Sequence, residues 1–398
     1  MIALWALLLD ATANPAALFC LNIVLLWSGL VLCVGVIAEH AFARVALLVA
    51  LGMTPLVLAE MAHVLTDAHL AAVLILATGF AAYGLTSRRR APLLACVALL
   101  AYAGCIRHNA LIAILPYGAL VAPALIPVRA RGVVAAISGA LLVALLSGAA
   151  AFVLDRAVVV QRYTVWPTIA LWDLAAISVD RNALLLPSFT HGPGMTVAEL
   201  VDTGAFDPTA NTFLFQKSHA GVKDGLEEPY TPAQLRELRA AWIDAVRQYP
   251  VAYARHRLRT FWLLIGPHRG GVQGVAYYVS RAQYRDNPPL PASLAPDAQS
   301  AFYRWASALS SGWVFCALPY LVLGVVALVV AWPRRHRRTA RVALAVSSAA
   351  LLYAAGYLPL APAADLRYLT WPIVAGPLAL AFALSSRDER SLTGRERQ

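Results

Sequence analysis

Three short polar interruptions in an otherwise apolar chain carry the residue types that phosphate and proton-transfer chemistry needs. The first is Asp67, in Leu65-Thr66-Asp67-Ala68. A carboxylate there can orient or deprotonate a hydroxyl, and it can also serve as N-cap of the apolar helix that follows. The two roles are compatible. The second is Arg107-His108-Asn109, which separates two apolar runs. Its guanidinium offers a phosphate a fork of donors where lysine would offer a point charge; the bland alternative is a snorkelling arginine in a polar turn. The third is Asp365-Leu366-Arg367-Tyr368. Here Arg367 is a second phosphate candidate and Asp365 can hold it, or the two can form a local ion pair of little worth. Tyr368 and Trp371 read as aromatics of the membrane belt. His191, His219, His256 and His268 show no ligand spacing, so each reads as a surface residue and no metal or other cofactor is expected.

The elements that must position these residues are membrane helices. The 398-residue chain is 60% hydrophobic and 13% charged, and its mean hydropathy is +0.66. These values lie outside the range of soluble globular domains. The net charge of +11 comes largely from short arginine clusters, Arg88-Arg89-Arg90, Arg129 with Arg131, and Arg334 to Arg338 around His336. Such clusters orient helices and meet anionic lipid heads. No zinc spacing or aromatic-interleaved basic stripe supports nucleic acid as a partner. The five cysteines all lie in apolar runs and imply no disulfide framework.

The apolar runs predict an all-α transmembrane bundle of about nine spans: 15–38, 44–61, 67–86, 91–106, 109–127, 133–154, 312–332, 341–358 and 369–385. With the arginine clusters inside, the N-terminus faces out, the C-terminus faces the cytoplasm, and all three polar interruptions face outward. Two spans, 44–61 and 91–106, are short for a ~30 Å core. Broken helices of this kind are tolerated where their ends line a wet cavity; a thinned bilayer is the alternative. Met1 to Leu9 is apolar but too short to span, and it reads as an interfacial helix or as the middle of a longer protein.

The sequence divides into N-terminal membrane helices (1–154), an outward helical cap (155–311) and C-terminal membrane helices with a charged tail (312–398). Within the cap, 168–180 has helical apolar spacing. Thr231-Pro232-Ala233-Gln234 opens a second helix running to about Gln248. Pro250 starts a third, to Ile265, whose Arg255, His256, Arg257 and Arg259 suggest a basic amphipathic helix lying on the membrane surface.

Asp67 heading a span, Arg107-His108-Asn109-Ala110-Leu111 followed by Pro116, Leu171-Trp172-Asp173-Leu174-Ala175-Ala176-Ile177-Ser178, and Asp365-Leu366-Arg367-Tyr368 together resemble the C-type integral membrane glycosyltransferases. These use polyprenyl-phosphate sugars and include the aminoarabinose and protein mannosyl transferases. The resemblance implies sugar transfer, with inversion, from a lipid-phosphate carrier to a lipid or glycan acceptor at the periplasmic face of a bacterial inner membrane. It assigns donor-phosphate binding to Arg107 or Arg367 and assistance in proton transfer to Asp67. His108, Asn109, Asp365 and Tyr368 would support them. In that family the main catalytic acid lies in a first outward loop after a first helix. Here Asp10 is the only acid before Glu39, so the expectation is an internal start or a truncated copy. An O-antigen polymerase or ligase, a lipid transporter and a non-catalytic membrane protein are the rival classes. A transporter would show paired repeats in its two halves, which the long insertion between unequal sets of spans disfavours.

Overall fold

The computed structural model describes residues 1–125, 132–158, 165–192, 194–215, 230–266, 295–310 and 312–385. Its α-helices, in chain order, are α1 (Ile2–Thr12), α2 (Ala17–Ile37), α3 (Ala41–Gly52), α4 (Pro55–Met61), α5 (Thr66–Ser87), α6 (Arg90–Ile106), α7 (Ala110–Leu125) and α8 (Val133–Val158). They continue as α9 (Trp166–Arg181), α10 (Val197–Asp202), α11 (Pro232–Gln248), α12 (Pro250–Ile265), α13 (Pro296–Leu309), α14 (Ala317–Ala331), α15 (Arg338–Leu360) and α16 (Thr370–Leu384). The chain forms two compact units. The first comprises residues 1–159, 277–356 and 367–398, and the second comprises 160–276 with 357–366.

The first unit is a multi-pass membrane bundle. Six of its helical segments are long and apolar enough to cross a bilayer: α2, α5, α8, α14 extended to Arg334, α15, and α16 with the turn before it. The pair α3 and α4, bent by 61° at its break, makes a seventh if it counts as one span. That is fewer than the nine read from the sequence. The remaining two segments, α6 and α7, are helical where expected but only 17 and 16 residues long. A polar turn cuts them off at Arg107. The break between α3 and α4 has a local cause: the Thr54 hydroxyl accepts from the Val57 amide and Pro55 occupies the first helical position.

Burial sorts these helices. The apolar stretch of α5 is 83% buried and that of α8 only 17%. Accordingly α5 packs against α2, α6 and α16, whereas α8 leaves Leu141, Leu145, Phe152 and Val153 exposed. Apolar side chains left outward over a whole helix face belong against lipid. Small residues bring the inner helices into backbone contact. A Cβ added at Gly29 of α2 would fall 2.6 Å from the Leu76 amide nitrogen of α5, and one at Gly118 of α7 would fall 2.6 Å from the Gly139 carbonyl of α8. Such approach replaces the missing hydrophobic drive between helices in lipid. Buried polar links add to it. His69 of α5 bridges the Asn22 side chain at 2.6 Å and the Tyr102 hydroxyl at 2.8 Å, and Thr78 meets the Tyr117 hydroxyl at 2.5 Å. Helix α1 folds back, its Trp5 indole donating to the Pro15 carbonyl at 3.1 Å.

The second unit is built on α9, which packs against α10, α11 and α12. Its core gathers Leu171, Trp172, Leu174, Ile177, Leu200, Leu214 and Leu238. The capping expectations are met: Thr231 and Gln234 form a reciprocal capping box at the start of α11, and Pro232 and Pro250 open α11 and α12. Residues 361–364 pair with 209–211. The Asn211 amide donates to the Pro362 carbonyl at 3.1 Å and the Ala364 amide to the Thr209 carbonyl at 2.6 Å.

Candidate functional site

Helices α5 and α6 form an antiparallel hairpin, so the start of the first and the end of the second return to the same level. Asp67 stands in the first turn of α5 and Arg107 immediately follows α6 in extended conformation. The Arg107 guanidinium donates to the Asp67 carboxylate. Asp67 is not the N-cap. Leu65 takes that place, and Thr66 and Asp67 already lie in the helix. Its charge is instead supported by the positive end of the α5 dipole.

Tyr368 completes the grouping. The Arg107 guanidinium lies 5.2 Å from the centroid of the Tyr368 ring, and that of Arg367 lies 5.3 Å from the same centroid. Both distances are within cation–π range. Two cations therefore share one aromatic ring beside one carboxylate. Asp67 is nearly buried at 4% exposure, while Arg107 keeps 22%, so the guanidinium is the part of the pair that a ligand can reach.

Glu60 is a residue that reading the sequence overlooked. It is buried on α4, and the Thr370 hydroxyl lies 3.1 Å from its Oε2 and 2.6 Å from the Arg367 carbonyl. The only hint was an acid near the end of a short apolar run. Also on α4, Leu58 and Met61 line an apolar cavity of about 230 Å³ together with Trp27, Val57 and Phe302.

His108 is exposed and Asn109 half-buried. Their carbonyls accept from the Leu111 and Ile112 amides and so start α7; among the described residues their side chains have no hydrogen-bond partner. Asp365 belongs to the second unit, whereas Arg367 and Tyr368 belong to the first.

A second acid–arginine cluster lies inside the second unit. Asp173 of α9 is fully buried. Its Oδ2 accepts from Arg257 Nη2 at 2.6 Å and from the Trp242 indole at 3.0 Å, and His256 Nε2 lies 3.5 Å from Oδ1. Arg257 also donates to the Ala361 carbonyl at 2.9 Å. The Trp172 ring meets His256 edge-on at 4.6 Å. Burial pushes the Asp173 carboxyl up to about 6, although Arg257 and Trp242 oppose the shift. Burial, with the charges of Arg257 and Arg259, holds His256 down to about 3. Of the four basic residues of α12, Arg257 and His256 turn into the core against Asp173, whereas Arg255 and Arg259 stay exposed beside Val251, Leu258 and Trp262. His256 is thus no surface histidine. His219 and His268 lie outside the described residues, as do Arg129 and Arg131.

No protein-family model, no curated protein and no solved structure matches this chain.

Proposed function

We propose that the chain is an integral membrane glycosyltransferase-like protein. It would move a sugar from a polyprenyl-phosphate carrier to a lipid or glycan acceptor at the periplasmic face of a bacterial inner membrane. The observation that carries the reading is the convergence of Asp67, Arg107, Tyr368 and Arg367, drawn from widely separated parts of the sequence, around one partly open guanidinium. The apolar cavity beside α4 offers a place for part of a prenyl chain.

In the proposed reaction the acceptor hydroxyl attacks the anomeric carbon as the bond from that carbon to the carrier phosphate breaks. The bonding pair leaves with the phosphate, and the guanidinium of Arg107 stabilises the charge that develops there. Arg367 adds a second cation against the Tyr368 ring. Asp67 is held by Arg107 while the site is empty. A phosphate that takes over the guanidinium releases the carboxylate to accept the acceptor's proton. The base is thus made available only when donor is bound.

The test is binding of a polyprenyl-phosphate sugar to the full chain in detergent. Arg107→Ala and Arg367→Lys are expected to weaken it about tenfold or more while the protein still inserts, because the lysine keeps the charge and loses the fork. Parent-like binding in both variants would reduce the arginines to membrane anchors. Sidedness is tested separately: reporters fused after Arg90 or Arg338 should read cytoplasmic, and one at Gly221 periplasmic.

A further inference from the structure

Where α5 ends, α6 begins and α15 begins, four arginines line a single cavity of about 250 Å³: Arg88, Arg90, Arg338 and Arg341. The rest of its wall is apolar, contributed by Leu85, Leu93 and Ala124 of α5, α6 and α7 with Gly84. We propose that this cavity binds the phosphate headgroup of an anionic membrane lipid, independently of the transferase reading.

Charge is the first observation. Among the described residues no carboxylate pairs with Arg88, Arg90 or Arg341. The first turn of α15 contains no acid either, so the positive end of its dipole adds to Arg88, Arg90 and Arg341. Like charges gathered in this way repel unless an anion occupies the space between them, and guanidinium forks suit phosphate oxygens. The second observation is that the cavity is built. Arg338 donates to the Thr86 carbonyl at 3.1 Å, which ties the start of α15 to the last turn of α5. Arg88 adopts a left-handed conformation with φ of 58°, at a cost of roughly 1–2 kcal/mol that glycine would avoid. The chain thus turns into α6 while keeping a guanidinium at the rim.

Shape separates a lipid from a soluble anion. The cavity is smaller than the ~300–1,000 Å³ of sites that enclose whole small molecules, and one side is hydrocarbon. A dissolved phosphate would leave the exposed Ala124 and the apolar edge beside it uncovered. A lipid headgroup puts its phosphate among the arginines and its glycerol and first methylenes against those side chains, as basic pockets between membrane helices do.

The experiment measures binding to the full chain in neutral detergent, by native mass spectrometry and by the rise in Tm. The probes are phosphatidylglycerol, phosphatidylcholine and inorganic pyrophosphate. Phosphatidylglycerol is expected to bind about tenfold more tightly than phosphatidylcholine, and the double variant Arg90→Gln, Arg341→Gln should remove most of that preference. Arg335→Gln with Arg337→Gln, on the same edge but outside the cavity, should leave it unchanged. The charge-conserving pair Arg90→Lys, Arg341→Lys guards against misfolding and should show an intermediate loss. Equal loss in the outside pair would mean diffuse attraction and overturn the site. So would undiminished preference in both cavity pairs. Pyrophosphate that binds as tightly as phosphatidylglycerol and displaces it would overturn the lipid assignment in favour of a soluble anion.

Discussion

The two acid–arginine pairs of this protein use the same groups and end in opposite conditions. Asp173 and Arg257 are both sealed in the second unit, and each has further partners: an indole, a histidine ring, a backbone carbonyl. Asp67 and Arg107 in the first unit stand at the ends of two helices, with the arginine partly exposed against a tyrosine ring. A closed pair fixes its surroundings and can reach nothing else. An open pair keeps its guanidinium partly exposed, at 22% for Arg107. What distinguishes the two pairs is therefore how far each is removed from the surface, since both are bonded.

Breaking the closed pair should have the largest effect. Arg257→Ala leaves Asp173 buried without its cation and strips the Ala361 carbonyl of a donor, at a cost of about 3–5 kcal/mol. Thermal unfolding in detergent measures it, and a parent-like melt would mean that water reaches Asp173 after all. The next effect is a pH slope. Asp173, raised from 3.8 to about 6, holds its proton more tightly folded than unfolded, so its contribution to stability falls as pH rises from about 4 to 6. His256, lowered from 6.5 to about 3, works the other way: the unfolded chain takes up a proton that the folded form refuses, so stability falls as pH drops. The two slopes oppose one another between about pH 4 and 6, where the parent should be nearly flat. His256→Asn removes one of them. Stability should then decline by about 2–3 kcal/mol as pH rises through that window, and a flat profile in the variant would refute the assignment.

The open pair should respond more weakly. Arg107→Ala is expected to cost about 1–2 kcal/mol, because the α5 dipole and entering water still serve Asp67. A loss as large as that of Arg257→Ala would erase the contrast drawn here. The smallest effect is set by a third pair, Arg255 with Asp180, whose arginine is 66% exposed. Arg255→Ala should leave the melting curve within about 0.5 kcal/mol of the parent.

Much of the helical framework is legible in the residues themselves. Thr231, Pro232 and Pro250 announce their helices through local capping and the fixed φ of proline, and the apolar spacing of 168–180 marks α9. What the sequence does not disclose is which face of a helix finds a distant partner. Arg257 looks like its neighbours Arg255 and Arg259, and it is drawn inward by a carboxylate 84 positions earlier. Glu60 meets a hydroxyl 310 positions later, and nothing in its local run foretells that. Six or seven of the nine expected spans are long and apolar enough to cross, and the other two are the shorter helices α6 and α7; hydropathy over a window also does not register that Thr54 and Pro55 cap a new helix inside the apolar run 44–61. Of the candidate site, Asp67, Arg107, Arg367 and Tyr368 were legible as interruptions of apolar sequence, but their grouping about one ring was not.

The pairing of residues 361–364 with 209–211 has a consequence for how the protein is made. Arg257 emerges from the ribosome 104 residues before the carbonyl of Ala361 that it will bind. At about 5–20 residues per second that interval is roughly 5–20 s. Meanwhile the second unit lacks a backbone segment, and the Asn211 amide has no Pro362 carbonyl to bind. The intervening chain, including α14 and α15, is synthesised before the missing piece arrives. This unit therefore closes only after α14 and α15 have been made, and its last hydrogen bonds register their delivery.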